Sequence, residues 1–368
     1  MLIKKSVNGI LNGLQNDKNI TFFKGSAQFT GHKTIHINKE EITADTIYIN
    51  VGASAFIPEE LKHLNYLDNQ SILELEEVPE HLIIVGGSYI GLEFGQIFRR
   101  LGSQVTIVEK GETIIGKEDK DVSEHIIQFL KEEGIEFRLN ATCVSGEKNP
   151  SGGITVSVDC KQESSEIHGS HLLLAVGRKP NTDTLNIEAA GVKIDEHGYI
   201  GVDDYLQTSI PGIYALGDCN GKGAFTHTAY NDYEIIAENM FEGKDRKVSD
   251  RIVTYNLYTD PPLGKAELTM EQAVKTGKKL KEGFRKMSDV ARAREKGETA
   301  GFMRAIIDAE SGKILGASIL GTGGDEIISS ILNIMYADVT YELIRDSVYP
   351  HPTVSELIPT MLEELKDL

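Results

Sequence analysis

Three stretches of this 368-residue sequence place chemically useful residue types at telling intervals. The first is "LIIVGGSYIGLEFGQIFRRLGSQVTIVE", in which Gly86, Ser88 and Gly91 separate an apolar run from a helical pattern, and the next apolar run ends at Glu109. In a G-x-G-x-x-G turn the first glycine makes the tight bend, the second admits a pyrophosphate to the backbone, and the third lets the helix pack close to the strand. Ser88 stands at the second position, small and able to donate its own hydroxyl, with Tyr89 and Ile90 completing the turn. The pyrophosphate would then rest on the positive end of the helix. Glu109 would hold a ribose 2′-hydroxyl, which favours NAD(H) over NADP(H), because a 2′-phosphate calls for arginine there. Glycines at a strand–helix junction can also serve packing alone; the βαβ context and the acidic strand end favour the nucleotide.

The second stretch, "TSIPGIYALGDCNG" from 208 to 221, is an apolar run that stops at Gly217-Asp218 as a buried strand stops at a ligand. Ligands of open α/β sheets sit outside the carboxyl ends of the strands. Gly217 lets a ligand lie against the backbone, and Asp218 is placed to accept hydrogen bonds from sugar-alcohol hydroxyls, as on a flavin. A similar run, "TIYINVG", ends at Gly52. The third stretch is "YPHPTVSELIP". Its local reading is a helix start, with Thr353 as N-cap and Glu356 closing a capping box. His351 then sits in a proline-bounded turn.

The elements that must position these residues follow from periodicity. Short strands occupy 20 to 57. From 82 the pattern is β-α-β-α-β: a strand at "LIIV", a helix from Tyr89 to Leu101, a strand at "QVTIVE", a helix at "DVSEHIIQFLKEEG" with Gly134 as its stop, and a strand at "IEFRL". An antiparallel hairpin around "GITVSVDC" returns through "HLLLAVG", and a helix spans 228 to 241. Beyond "GKDRKVSD", strands "IVTYNLY", "FMRAIIDA" and "ILGASIL" flank a polar stretch, and helices close the chain at 325–337 and 354–365. Boundaries near 75, 197 and 250 leave 1–75 and 198–250 as two parts of one interrupted domain, with 76–197 and 251–368 as the others.

Composition narrows the class. A chain 40% hydrophobic and 26% charged reads as soluble and globular, and a net charge of −18 lacks the basic footprint of a nucleic-acid binder. No apolar run reaches the roughly 18 residues of a membrane span, and the opening "MLIKKSVNGILNGLQNDKN" has no apolar signal core, so the cytoplasm is expected. Cys143, Cys160 and Cys219 form neither a C-x-x-C nor a C-x4-C pair, and no metal spacing, so no metal is expected.

Taken in order, "GGSYIGLE", "AVGRKPN", Thr208 to Asp218, "YTDPPLGKAELT" and "HPTVSE" resemble the flavoprotein disulfide reductases that include glutathione reductase, lipoamide dehydrogenase and mercuric reductase. The resemblance covers almost the whole chain. It implies an α/β fold of three-layer FAD- and NAD(P)-binding domains, the FAD domain incomplete, followed by a C-terminal α+β dimerisation domain and a homodimer. It implies FAD at Gly52, Gly217, Asp218, Phe225 and Thr226, and NAD(H) at Gly86, Ser88, Ile90, Gly91, Glu109 and Gly177. Tyr89 would gate the nicotinamide beside the flavin, and Glu93 would pair with a lysine there. His351 and Glu356 would reach across the dimer as a proton relay. His227, just before a helix, is read as structural. The acceptor would be a disulfide or a small molecule. The family's first βαβ unit and its C-x4-C helix, however, have no counterpart here, so the chain reads as the later part of a flavin enzyme. Mercuric reduction is not expected, because no cysteine pair stands near "MLEELKDL".

Overall fold

The computed structural model describes residues 2–141, 144–149, 152–158 and 166–368. Cys143 and Cys160 lie outside them. The chain divides into two compact units, Met1–Ser54 with Lys179–Asp250, and Ala55–Arg178 with Arg251–Leu368.

In the first unit, strands Ala27–Gly31, Thr34–Ile37 and Glu40–Thr43 form an antiparallel meander. Strands Ile47–Ile49 and Ile213–Ala215 pair in parallel, with Ile47 opposite Ile213 and Ile49 opposite Ala215. The two runs read as stopping alike at Gly52 and Gly217 therefore lie side by side. Their apolar side chains bury with Phe29, Leu185 and Ile187, and this core fixes where both carboxyl ends emerge. Helix Thr226–Phe241 packs Ile235 and Ile236 against Leu206 and Leu216. Helix Leu2–Asn16, which periodicity did not single out, presents Ile3, Val7 and Ile10 to solvent.

The second unit is built on a five-stranded parallel sheet in the spatial order Tyr66–Leu67, His171–Leu174, His81–Val85, Gln104–Val108, Glu136–Arg138. Its central strands read as continuous apolar runs because both faces are covered. Helices Tyr89–Arg100 and Lys120–Glu132 make the crossovers, and Gly134, at φ 90°, ends the second. Strands Val144–Lys148, Ile154–Val158 and Glu166–Gly169 form the expected antiparallel excursion. A six-stranded sheet follows, all its pairings antiparallel, with Phe302–Asp308 and Ile314–Leu320 adjacent near its centre. Leu257, Leu263, Phe302 and Leu320 from that sheet share one core with Leu92, Ile107 and Ile126. The polar stretch between these strands contains strand Leu280–Lys286 and the short helices Met270–Lys275 and Ala291–Lys296. Six-residue helices show too little periodicity to be read from sequence.

Candidate functional site

The glycine-rich turn joins strand His81–Val85 to helix Tyr89–Arg100, with Ser88 at the N-cap. Gly86 sits at φ 116° and presses so close to strand end Ala175 that a β-carbon would lie 2.3 Å from that carbonyl oxygen. At Gly91 a β-carbon would lie 2.0 Å from Gly86 O, so only glycine lets the helix meet the turn. Ser88 faces solvent at the helix start. Glu109 is brought to the same place: its carboxylate accepts the Gly87 N–H at 2.7 Å and the Gly111 N–H at 2.8 Å. A turn closed by tightly packed glycines, an open helix end and a strand-end carboxylate therefore converge, and this donor and acceptor set fits a dinucleotide. Gly177, at φ 145° with nothing within 4 Å of its Cα face, leaves backbone accessible after the adjacent strand.

Tyr89 begins the helix, and its hydroxyl donates to Glu118 Oε1 at 2.9 Å. Tyr255 donates to the same oxygen at 2.5 Å, and the two rings meet edge to face at 5.6 Å. Burial, and then the negative charge of Glu118, push both phenols above the ordinary tyrosine value. Neither Glu118 nor Tyr255 stands out in the sequence, because 137 positions separate them. Glu93, half-buried on the same helix, accepts the Tyr258 N–H at 2.8 Å, and burial raises its carboxyl above the usual range.

In the first unit the turn after Ile213–Ala215 is held from beneath. Asp232, 1% exposed, accepts the Gly217 N–H and the Asn220 side-chain amide, each at 2.9 Å. A β-carbon on Gly217 would lie 2.8 Å from Asn50 Oδ1 and 3.2 Å from Ala229 Cβ. Asp218 follows, partly exposed. The Gly52 turn is fixed by Asn181, whose N–H donates to Gly52 O at 3.0 Å and whose amide donates to Val51 O at 2.9 Å. A cavity of about 310 Å³ opens beside it, lined by Phe29, Ile47, Tyr48, Asn50, Val51 and Leu185. Phe225 caps helix Thr226–Phe241 with Thr226 exposed at its start, and His227 stacks on Phe225 at 5.3 Å. These two glycine turns, with Asp218 between strand end and helix, suit a polyhydroxyl chain such as that of a flavin. Asp232 and Asn181 were not anticipated as supports. Cys219 is buried, its thiol donating to Leu216 O at 3.2 Å and pushed up by desolvation, so it faces the core rather than a ligand.

His351 and Glu356 do meet: Nδ1 lies 2.9 Å from Glu356 Oε2 and 3.1 Å from Oε1. The imidazole is 76% exposed and the carboxylate 15%. The capping box takes a different form. Thr353 Oγ1 accepts the Glu356 N–H at 3.2 Å, but helix Leu357–Glu363 starts later with Glu356 itself at the N-cap. The Glu356 carboxylate is thus used on His351 and not on the Thr353 backbone. Among the described residues no group of three or more His, Cys, Asp or Glu is placed to hold a metal ion, and no helix is long and apolar enough to cross a membrane.

Comparison with known proteins gives a consistent result. The family model of pyridine nucleotide-disulphide oxidoreductases matches residues 2–232, and the model of their dimerisation domain matches residues 253–362. The chain is 32% identical over 358 residues to the probable pyridine nucleotide-disulfide oxidoreductase RclA of Escherichia coli (strain K12), covering 95% of this chain and 80% of that protein. It is 34% identical over 336 residues to a mercuric reductase of Staphylococcus aureus, covering 90% of this chain and 61% of that enzyme. It is 33% identical over 371 residues to a dihydrolipoyl dehydrogenase of Thermus scotoductus, covering 99% and 79%. The solved structure of the HOCl-induced flavoprotein disulfide reductase RclA from Escherichia coli matches with a TM-score of 0.89 at 31% identity, over 98% of this chain and 82% of that one. The chain thus spans less than two thirds of the mercuric reductase and more of the other relatives.

Proposed function

Because this chain belongs to the pyridine nucleotide-disulphide oxidoreductase family, we propose that it is an NAD(P)H-dependent, FAD-linked oxidoreductase of the disulfide reductase type, using NADH in preference to NADPH. With both cofactors bound, the chemistry supplied is hydride transfer from nicotinamide to flavin. The backbone of Gly86, Ser88, Ile90 and Gly91 holds the pyrophosphate at the helix end, Glu109 takes the ribose hydroxyls, and Gly177 lines the nucleotide's path. Tyr89 stands over the nicotinamide, and Glu93 lies near the flavin. Gly52, Gly217, Asp218, Phe225 and Thr226 bind the flavin's ribityl chain and ring edge. Glu356 orients His351 through Nδ1, leaving Nε2 to exchange a proton with an acceptor thiol. The acceptor is a disulfide or a small molecule, the working state a cytoplasmic homodimer, and the three-part division of the chain carries over from the sequence. Cys143, Cys160 and Cys219 do not form the C-x4-C pair of the reductase type.

One observation carries the reading: the 2.7 Å hydrogen bond from Gly87 N–H to Glu109, which brings the acidic strand end onto the glycine turn. The test is the visible spectrum of the protein mixed with FAD and then desalted. A retained flavin band that bleaches on adding NADH supports the proposal. A colourless protein overturns the flavin part for this chain. A second reading, a dimeric NAD-binding protein without flavin chemistry, is favoured by the three cysteines having no C-x4-C spacing; it predicts NADH binding with no flavin band.

A further inference from the structure

We propose that Arg304, on the antiparallel sheet, is a positioning residue for the dinucleotide turn, acting through the segment that runs from Glu109 to Asp121. This role rests on the dinucleotide reading of the Gly86–Gly91 turn, since it names what holds that same site in shape.

The segment is tied along its length. At its start, the Glu109 carboxylate accepts the Gly87 and Gly111 N–H groups. In its middle, the Ile115 N–H donates to Gly87 O at 2.9 Å, so Gly87 is gripped through both its amide and its carbonyl. At its far end three acids reach Tyr255, Met270 and Arg304, all within the stretch matched by the dimerisation model. Glu118 Oε1 accepts the Tyr255 hydroxyl at 2.5 Å, and the Asp119 carboxylate accepts the Met270 N–H at 2.9 Å. Asp121 takes the Arg304 fork on both its oxygens, Nη1 to Oδ1 at 3.1 Å and Nη2 to Oδ2, and Nη1 also lies 3.5 Å from Asp119.

Ile115 shows where this tie acts on the backbone. It sits at φ 40°, in the left-handed region that a β-branched residue rarely adopts. Such a conformation persists only where its surroundings over-determine it. Ile114 and Ile115 are both buried in the core, which sets how deep the segment lies. Apolar burial is non-directional, however, and does not by itself fix the segment's position along that core. Direction comes from helix Lys120–Glu132, whose Ser123 hydroxyl donates to Ile114 O at 2.9 Å. Asp119 is the N-cap of this helix and Asp121 lies in its first turn. The buried guanidinium therefore fixes the start of the helix, and the helix holds Ile114 and Ile115 against Gly87. Two-point pairing of a guanidinium with a carboxylate specifies orientation as well as attraction.

Glu282 supplies the contrast. Its Oε1 accepts Arg304 Nε at 2.8 Å, but it lies on strand Leu280–Lys286, the neighbour of Arg304's own strand. Losing that carboxylate removes a partner of the guanidinium and leaves the segment tied. Asp121→Asn and Arg304→Met should weaken NADH binding by roughly 2- to 30-fold, the range for residues that act on a site through others. Arg304→Lys, which keeps the charge without the fork, should recover part of that loss. Glu282→Gln should leave NADH affinity at the parent's value, even where it lowers the melting temperature.

The test is calorimetric titration of the full chain and its variants with NADH, joined to hydrogen exchange of the peptides spanning 110–118 and 104–108. In Asp121→Asn, affinity and protection of 110–118 should fall together while strand 104–108 keeps its protection. An even loss of protection in both peptides would mean general destabilisation and overturn the positioning role. A parent chain that binds no NADH overturns the dinucleotide reading and this role with it. If the parent binds, but Asp121→Asn and Arg304→Met bind equally well or Glu282→Gln weakens binding as much as they do, Arg304 loses its role and the dinucleotide reading stands. Should Arg304→Met fail to fold, the partly exposed Asp121→Asn and the conservative Arg304→Lys decide the matter.

Discussion

Asp232 Oδ2 accepts the Gly217 N–H at 2.9 Å, tying the middle of helix Thr226–Phe241 to the turn that carries Asp218. The same oxygen accepts the Asn220 amide at 2.9 Å. An Asp232→Ala change strands two buried donors, each costing about 1–3 kcal/mol when unsatisfied. The expected loss is about 3 kcal/mol in urea unfolding of the first unit, together with loss of any bound flavin. Asp232→Asn keeps an acceptor oxygen and should lose less than half as much. Equal losses for the two variants would show that the carboxylate's charge, and not its acceptor geometry, holds the turn.

Glu109 serves the glycine turn and the proposed ribose at once, because the Gly87 N–H occupies Oε2 and the Gly111 N–H occupies Oε1. Each oxygen keeps a further lone pair for a hydroxyl. Glu109→Ala should raise the NADH dissociation constant at least roughly tenfold, the low end for one hydrogen bond to a charged group. Binding titrations of NADH against NADPH give the second readout: removing the negative charge should narrow the preference for NADH. An unchanged ratio would remove Glu109 from ribose recognition and leave it a brace for the turn.

Gly91 is the place where the fold tolerates least. An alanine there puts a methyl carbon 2.0 Å from the Gly86 carbonyl oxygen, and backbone on that side cannot rotate away as a side-chain tip would. The helix must lift from the strand, at a cost of about 1–3 kcal/mol or more. Gly91→Ala should therefore lower the melting temperature and abolish dinucleotide binding together. Gly102→Ala, at φ 112° but in open space, is the contrasting control, expected to affect stability without touching binding.

How much of this was legible depended on sequence distance. The turn from Gly86 to Gly91, its strand, its helix and the acidic end at Glu109 form one local unit, so their order along the chain discloses their arrangement. The parallel pairing that sets Gly52 beside Gly217 could be suspected only from two similar endings, since about 165 residues intervene. Asp232 was opaque because a buried acid within a helix pattern looks like a solvated one until the turn it serves is seen. Glu118 meets Tyr255, and Arg304 meets Asp119 and Asp121, only through tertiary packing. The Thr353 to Glu356 spacing was legible as a cap, yet the carboxylate turns to His351 instead, a contact that local spacing alone does not disclose.

Lys265 offers a prediction in pH. It is 1% exposed on strand Leu263–Glu267, and its ammonium donates to Leu268 O at 2.7 Å and Ser318 Oγ at 3.3 Å. Burial depresses its pKa below the ordinary 10.5, and the nearby charges of Glu118, Asp119 and Glu267, opposed by Arg304, offset this only in part. In the pH interval between the depressed folded value and 10.5 the unfolded chain binds the proton and the folded chain does not. Stability therefore rises with pH across that interval, and below it the cost of burying the charge is present in full. Lys265→Met removes this contribution. Subtracting its urea-unfolding profile from that of the parent cancels the tyrosines that titrate in the same range. The difference should slope upward in favour of the parent as pH approaches 10.5 and be flat below the folded value. A difference that is flat throughout would mean that Asp119 and Glu118 hold Lys265 charged, making it a full ionic member of the cluster around Arg304.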